Sequence, residues 1–256
     1  MRLTILGSCA SQPGAGEACS GYLVSSGDTR VMLDCGSGTL GPLQRYASLD
    51  DLRAIVVSHL HPDHYLDLVA LRYGRTYGAA GARPIDVYLP PGGVSHLNRL
   101  ASALSGTTPF WDTALTLHEY EPGVPIPLGA LTIRPHEVRH GIRSFGMRVE
   151  DGRTALAYTS DTVACDALVP LAQGAHTLLA EATLAGGAPQ HHDPVTHLSA
   201  EQAAEVAAAA GVSRLVLTHF WYTADRDLAV SEAAACFAGD VRAAASGRCF
   251  DFDALD

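Results

Sequence analysis

The chain has 256 residues, 47% hydrophobic and 17% charged, and its 27 acidic against 17 basic side chains give a formal net charge of −10. That length buries about three quarters of the unfolded surface in one large domain, and the composition excludes a disordered or fibrous chain. The acidic balance disfavours a broad footprint on a nucleic-acid polymer or an anionic membrane. No apolar run approaches a membrane span, and no basic leader with a long apolar stretch precedes the first strand, so the expected location is cytoplasmic.

In chain order, Leu3–Leu6, Tyr22–Ser25 and Arg30–Leu33 predict short strands separated by the turn formers Gln12-Pro13-Gly14 and Gly27-Asp28. Ala54–Ser58 is a continuous apolar run ending in serine, the pattern of a strand buried on both faces. Pro62 suits a first helical position, which predicts a helix over Asp63–Tyr73. A strand at Ile85–Leu89, a helix at Val94–Leu104 and strands at Leu115–Tyr120 and Leu131–Pro135 follow. Phe145–Val149 and Ala155–Tyr158 predict a hairpin around Asp151-Gly152. Thr177–Ala180 and Leu215–Thr218 predict buried strands, and Ala203–Ala210 and Leu228–Phe237 predict helices. Ser199-Ala200-Glu201-Gln202 has the capping-box pattern, and Gly211 can close the helix it begins. No linker or repeat divides the chain, so one α/β domain over 1–256 is expected. The six scattered cysteines, with no C-x-x-C, read as reduced thiols.

The chemistry concentrates in His59-Leu60-His61-Pro62-Asp63-His64. Imidazole nitrogens with a carboxylate oxygen suit zinc and are acceptable to manganese or iron. His59 and His61, two apart at a strand end, point to one side, and the helix start turns Asp63 and His64 back toward them. Four such ligands exceed what one tetrahedral zinc with an open position uses. Two metals about 3.5–4 Å apart would use them all.

H-x-H-x-D-H at a strand end resembles the metallo-β-lactamase superfamily, and the likeness extends over essentially the whole chain. His140-Gly141-Ile142-Arg143-Ser144-Phe145-Gly146, Tyr158-Thr159-Ser160-Asp161-Thr162 and Leu217-Thr218-His219 resemble its further motifs. The resemblance implies a four-layer αββα sandwich and two divalent metal ions, zinc with manganese as the alternative. It implies one set of His59, His61 and His140, another of Asp63, His64 and His219, and Asp161 between them. Alone, each later residue has a plainer reading. His136 rivals His140, Asp161 could cap a following helix, and His219 could be a satisfied core histidine.

His61, where glutamate would suggest a di-iron flavoprotein, favours hydrolysis, and His64 argues for a binuclear hydrolase over true β-lactamases. The ribonuclease Z and cyclic-phosphodiesterase branches look closest. Ala180-Glu181-Ala182-Thr183 resembles ribonuclease Z's H-E-A-T, with alanine replacing the histidine, and His197-Leu198-Ser199 resembles its H-S-T. That makes His197 the candidate general acid, with Glu181 to hold it, while Asp63 orients or deprotonates the attacking water. The stretch between His140 and Asp161 leaves no room for a tRNA-gripping arm, which with the acidic charge disfavours tRNA 3′ processing.

The expected activity is therefore phosphodiester hydrolysis of a small molecule such as a cyclic nucleotide. A thioester, lactone or other ester hydrolase is the alternative on the same metals, and a catalytically silent binding module is the third reading. A homodimer is expected by analogy with relatives. Asp34 either orients a ligand histidine or begins a turn. His191-His192-Asp193 could touch substrate, Phe110-Trp111 reads as core, and Phe220-Trp221-Tyr222 as core or a stacking surface. Arg72, Arg75, Arg143 and Arg148 either meet a phosphate or solvate the surface.

Overall fold

Side chains on a strand alternate between faces, and here both faces are apolar. In β1 (Arg2–Cys9), Leu3 and Ile5 enter one core while Leu6 enters another. A computed structural model describes residues 1–78, 83–105, 110–187 and 196–252. It continues with β2 (Ala18–Cys19), β3 (Gly21–Ser26), β4 (Thr29–Leu33), β5 (Leu52–Val56), β6 (Ile85–Leu89), β7 (Leu115–Glu119), β8 (Ile126–Leu128), β9 (Leu131–Val138), β10 (Ser144–Glu150), β11 (Ala155–Tyr158), β12 (Thr177–Glu181), β13 (Arg214–Thr218), β14 (Asp240–Ala243) and β15 (Cys249–Asp251). The helices are α1 (Leu40–Leu43), α2 (Pro62–Tyr65), α3 (Asp67–Tyr77), α4 (Gly93–Ser105), α5 (Leu168–Ala172), α6 (Ala200–Ala210) and α7 (Arg226–Ala234).

One sheet runs β15-β1-β3-β4-β5-β6-β7, with β2 beside β1, and the other β14-β13-β12-β11-β10-β9-β8. Both are mixed: β4 through β7 are parallel neighbours, as are β11 through β14, while β8–β11 form an antiparallel meander. Tyr22, Val24, Val31 and Leu33 meet Phe145, Leu156, Leu179 and Val216 between the sheets. The opposite faces are covered by helices. Leu23, Met32 and Ile55 pack with Leu43, Leu68, Leu71 and Leu97, and Leu178, Leu215 and Leu217 pack with Leu171, Ala203 and Ala207. This is the four-layer αββα sandwich. Among the described residues no helix is long and apolar enough to cross a membrane.

The capping box at Ser199 forms, with Gln202 N–H donating to Ser199 Oγ, and Gly211 closes α6 in the left-handed conformation. The Asp151-Gly152 turn joins β10 to β11, Asp151 Oδ1 accepting from the amides of Arg153 and Thr154. The helix expected over Asp63–Tyr73 is instead two helices broken at Leu66. The cause lies in the segment after β4: Cys35 N–H donates to His64 O, and Asp67 N–H donates to Cys35 O. A docked strand end has captured groups that a continuous helix would have paired internally. The last helix stops at Ala234 rather than Phe237, and the short strands β8, β14 and β15 carried no strong sequence pattern.

That docking leaves no room at Gly36, where an added Cβ would stand 1.9 Å from the backbone oxygen of Asp63. Gly36→Ala is therefore expected to lower unfolding free energy by about 1–3 kcal/mol through overpacking, measured by urea denaturation of metal-free protein. Wild-type stability would show that the two segments separate freely.

Candidate metal centre

The two sheets are joined at one end. Ala10 N–H donates to Phe220 O and Phe220 N–H to Ser8 O, tying β1 to the segment after β13, and His59 bridges to Ser144. Chain reversals follow the strands there, and four non-glycine residues take left-handed backbone conformations: Ser11 (φ 60°), Asp34 (56°), Ser160 (56°) and His219 (57°). Each costs roughly 1–2 kcal/mol relative to ordinary backbone. All four touch the same cluster of side chains.

His59 Nε2 lies 3.1 Å from His61 Nδ1, and His61 Nδ1 lies 3.2 Å from His140 Nε2. Beside them, His64 Nε2 and His219 Nε2 are 3.3 Å apart, and Asp63 Oδ2 is 3.3 Å from His219 Nε2 and 3.7 Å from His64 Nε2. Asp161 reaches both groups. Its Oδ2 is 3.6 Å from His59 Nε2 and 3.4 Å from His219 Nε2, and its Oδ1 is 3.3 Å from His64 Nε2. The structure thus brings together all seven residues predicted as ligands, and each group could hold one metal ion.

Their far sides show which atoms are offered. His64 Nδ1–H donates to Asp34 Oδ2 at 2.8 Å, and His140 Nδ1–H donates to Thr196 O at 2.9 Å. With Nδ1 so committed, Nε2 is the nitrogen that each ring turns into the cluster. His59 Nδ1 lies 3.2 Å from Ser58 Oγ, and His219 Nδ1 lies 2.8 Å from Thr183 Oγ1. Asp63 Oδ2 accepts from Ser11 N–H at 2.7 Å.

The donor set fits divalent cations. Tetrahedral zinc with bonds of about 2.0–2.1 Å separates its nitrogens by roughly 3.3 Å, close to the spacing seen. Asp161 Oδ1 is buried without a hydrogen-bond partner, and the Nε2 atoms of His64 and His219 face each other at 3.3 Å. Burial alone lowers the affinity of His64 for a proton, but Asp161, Asp63 and Asp34 raise it well above an ordinary histidine. The same negative field favours a dication. Burial pushes His59 well below the ordinary range, with the His64 charge adding to it. Burial raises Asp161 and Asp63, but the neighbouring histidines outweigh it and hold both carboxyls down.

His197 stands beside this cluster, its ring 5.1 Å from His140 and 5.7 Å from His219. Its Nδ1–H donates to Glu181 Oε1 at 2.9 Å, and that oxygen also accepts from Thr162 N–H at 2.7 Å. Burial pulls His197 down, yet the Glu181 hydrogen bond and charge push it up to about 9.

Asp34 both begins a reversal and orients His64, while also accepting from Ser58 N–H, Ser58 Oγ and Tyr158 OH. His136 lies within β9 and belongs to none of the candidate ligand groups, of which a third joins Asp161, His197 and His219. The cap reading of Asp161 fails because the next helix begins only at Leu168. None of the four arginines is free for the site. Arg72 lies over Phe110 and donates to its carbonyl, Arg75 pairs with Asp50, Arg143 with Glu137, and Arg148 with Glu150 and the Leu171 carbonyl. Phe110, Trp111 and Phe220 are buried, whereas Tyr222 is exposed. His191-His192-Asp193 lies outside the described residues. Sequence reasoning quoted Thr183 and Tyr158 inside motifs without giving either a role, and it did not single out Thr196 or Ser11, whose backbone groups carry no spacing pattern.

A family model described as "Beta-lactamase superfamily domain" matches residues 29–220. A Mycobacterium tuberculosis protein, "Uncharacterized protein Rv1339", is 39% identical over 256 residues, covering 98% of this chain and 92% of its own. A ribonuclease Z of Mycobacterium bovis is 30% identical over 246 residues, covering 86% of each chain. The crystal structure of the metallo-beta-lactamase fold protein YhfI from Bacillus subtilis superposes with a TM-score of 0.87 at 28% identity, over 97% of this chain and 98% of that one.

Asp34→Asn removes the carboxylate behind His64. Its affinity for divalent metal is expected to fall by about 10- to 100-fold, seen by elemental analysis after dialysis against a weak chelator. Undiminished metal content would remove Asp34 from this role.

Proposed function

The chain belongs to the β-lactamase superfamily, a metal-dependent hydrolase in its fold and donor set, and on that premise we propose that it is a two-metal phosphodiesterase acting on a small phosphodiester such as a cyclic nucleotide. The observation that carries the reading is the Glu181–His197 pair beside two donor groups that Asp161 approaches from between. His59, His61 and His140 would hold one ion and Asp63, His64 and His219 the other, with Asp161 available to both. Zinc fits this nitrogen-rich set best, with manganese the alternative. Two such ions supply a water acidic enough to attack near neutral pH and a clamp for phosphoryl oxygens.

The protein's own groups do the rest. Asp63, steadied by Ser11 N–H, orients the attacking water from the second set. His197, with Nδ1 committed to Glu181, presents Nε2 to protonate the leaving oxygen. This acid favours a phosphodiester over a thioester. A thiolate departs readily without a proton, its conjugate acid having a pKa of about 8.5, whereas a sugar alkoxide does not.

The ribonuclease Z likeness keeps tRNA 3′ processing as a second reading. Against it, the stretch from His140 to Asp161 is filled by β10, the turn at Asp151-Gly152 and β11, with no inserted arm.

Zinc- or manganese-loaded protein is expected to hydrolyse bis-p-nitrophenyl phosphate and 3′,5′-cyclic AMP, with Asp63→Ala abolishing both. Turnover of a thioester alone would sink the phosphodiesterase reading, and cleavage of a tRNA precursor alone would favour the second. His197→Ala is expected to slow cyclic AMP hydrolysis by about 10²- to 10⁴-fold and bis-p-nitrophenyl phosphate far less, because nitrophenolate leaves unassisted. Equal losses on the two substrates would remove His197 as the acid.

A further inference from the structure

Thr183 is fully enclosed, and its hydroxyl lies between three functional side chains. Thr183 Oγ1 is 2.7 Å from Glu181 Oε2, 2.8 Å from His219 Nδ1 and 3.3 Å from His197 Nδ1. A hydroxyl has a single proton to donate. The carboxylate oxygen is the strongest acceptor in reach and the shortest contact, so the proton points at Glu181. The lone pairs then face His219, whose Nδ1–H donates to Thr183. That fixes the His219 tautomer with Nε2 unprotonated, turned toward His64, Asp63 and Asp161.

Glu181 is divided between two tasks. Its Oε1 accepts from His197 and from Thr162 N–H, and its Oε2 accepts from Thr183. We propose that Thr183 is a positioning residue that sets the tautomer of His219 and, through the shared Glu181 carboxylate, ties the second metal set to the His197 acid. This rests on the two-metal reading above. Thr183 touches neither metal nor substrate; it acts through His219.

Thr183 is 1% exposed, so a test must change the hydroxyl while keeping the volume close. Valine keeps the shape and loses the hydroxyl, whereas serine keeps the hydroxyl. The consequence is specific to one metal. His59, His61 and His140 make no contact with Thr183, so the first ion should not sense the change.

The test is stepwise zinc removal from wild type, Thr183→Val and Thr183→Ser with a competing chromophoric chelator, beside thermal unfolding of each metal-free protein. In Thr183→Val the weaker-held or stronger-held equivalent belonging to the second set is expected to lose about 10- to 100-fold in affinity, the other staying within about threefold. Which equivalent is which is read from His64→Ala, which removes a second-set ligand directly. Thr183→Ser should restore the lost affinity. Unchanged binding of both equivalents in Thr183→Val overturns the proposal. So does an equal loss of both accompanied by a lower metal-free melting temperature, which marks a purely structural residue. A wild-type protein that takes up only one equivalent overturns the two-metal reading itself and the proposal with it.

Discussion

A carboxylate withdrawn from water has to find compensating charge or hydrogen-bond donors within a few ångströms, and Asp161 finds only imidazoles. It is buried, its Oδ1 accepts no hydrogen bond, and its neighbours are imidazole nitrogens. At least two of those rings, His64 and His140, are committed by Asp34 and the Thr196 carbonyl to present Nε2. Unprotonated nitrogens would repel the carboxylate, which is why Asp161, with Asp63 and Asp34, raises the proton affinity of His64. The arrangement becomes favourable when positive charge stands between them, so the affinity for dications and the placement of Asp161 are one problem with one solution.

The rest of the molecule serves to hold this electrostatic arrangement against its own repulsion. Four left-handed residues at strand ends cost together roughly 4–8 kcal/mol at the per-residue figure, comparable to the whole net stability of a typical domain. Such backbone persists only when its surroundings over-determine it. The two sheets provide that, since β11, β12 and β13 place one residue in the inter-sheet core and the next under the helices, leaving no slack for register shifts. A slip of one residue would exchange Leu178 and Leu179 between cores and carry Glu181 away from His197.

Much of this was legible in the sequence because the determinants were local or periodic. The continuous apolar run before His59 announced a strand buried on both faces, and Ser199 with Gln202 announced a helix start. H-x-H-x-D-H delivered four side chains within six positions, so their convergence needed no knowledge of tertiary structure. His140, Asp161 and His219 were different. Nothing local separates His140 from His136, and only order along the chain, read through a family resemblance, favoured it. The helix break at Leu66 and the orienting threonine were invisible for a physical reason: both depend on backbone or hydroxyl groups that meet their partners only after the sheets close. The arginines err in the opposite direction. They looked available as phosphate contacts, yet each is engaged by a carboxylate or a carbonyl away from the cluster.

That disposal of arginines bears on what the site can recognise. A protein that grips a polyphosphate backbone spreads unpaired cations along the path of the strand, and each contact adds to affinity through counterion release. Here the formal charge is −10; of the four arginines weighed as phosphate contacts, three pair with carboxylates and Arg72 is held against Phe110. At the cluster itself, positive charge would come from the dications and from His197, all within the span of a few side chains. A field so narrow can stabilise one phosphoryl group strongly while giving little purchase on its neighbours along a strand. On the proposed reading, selection for a small phosphodiester therefore follows from how tightly the positive charge would be concentrated at this cluster.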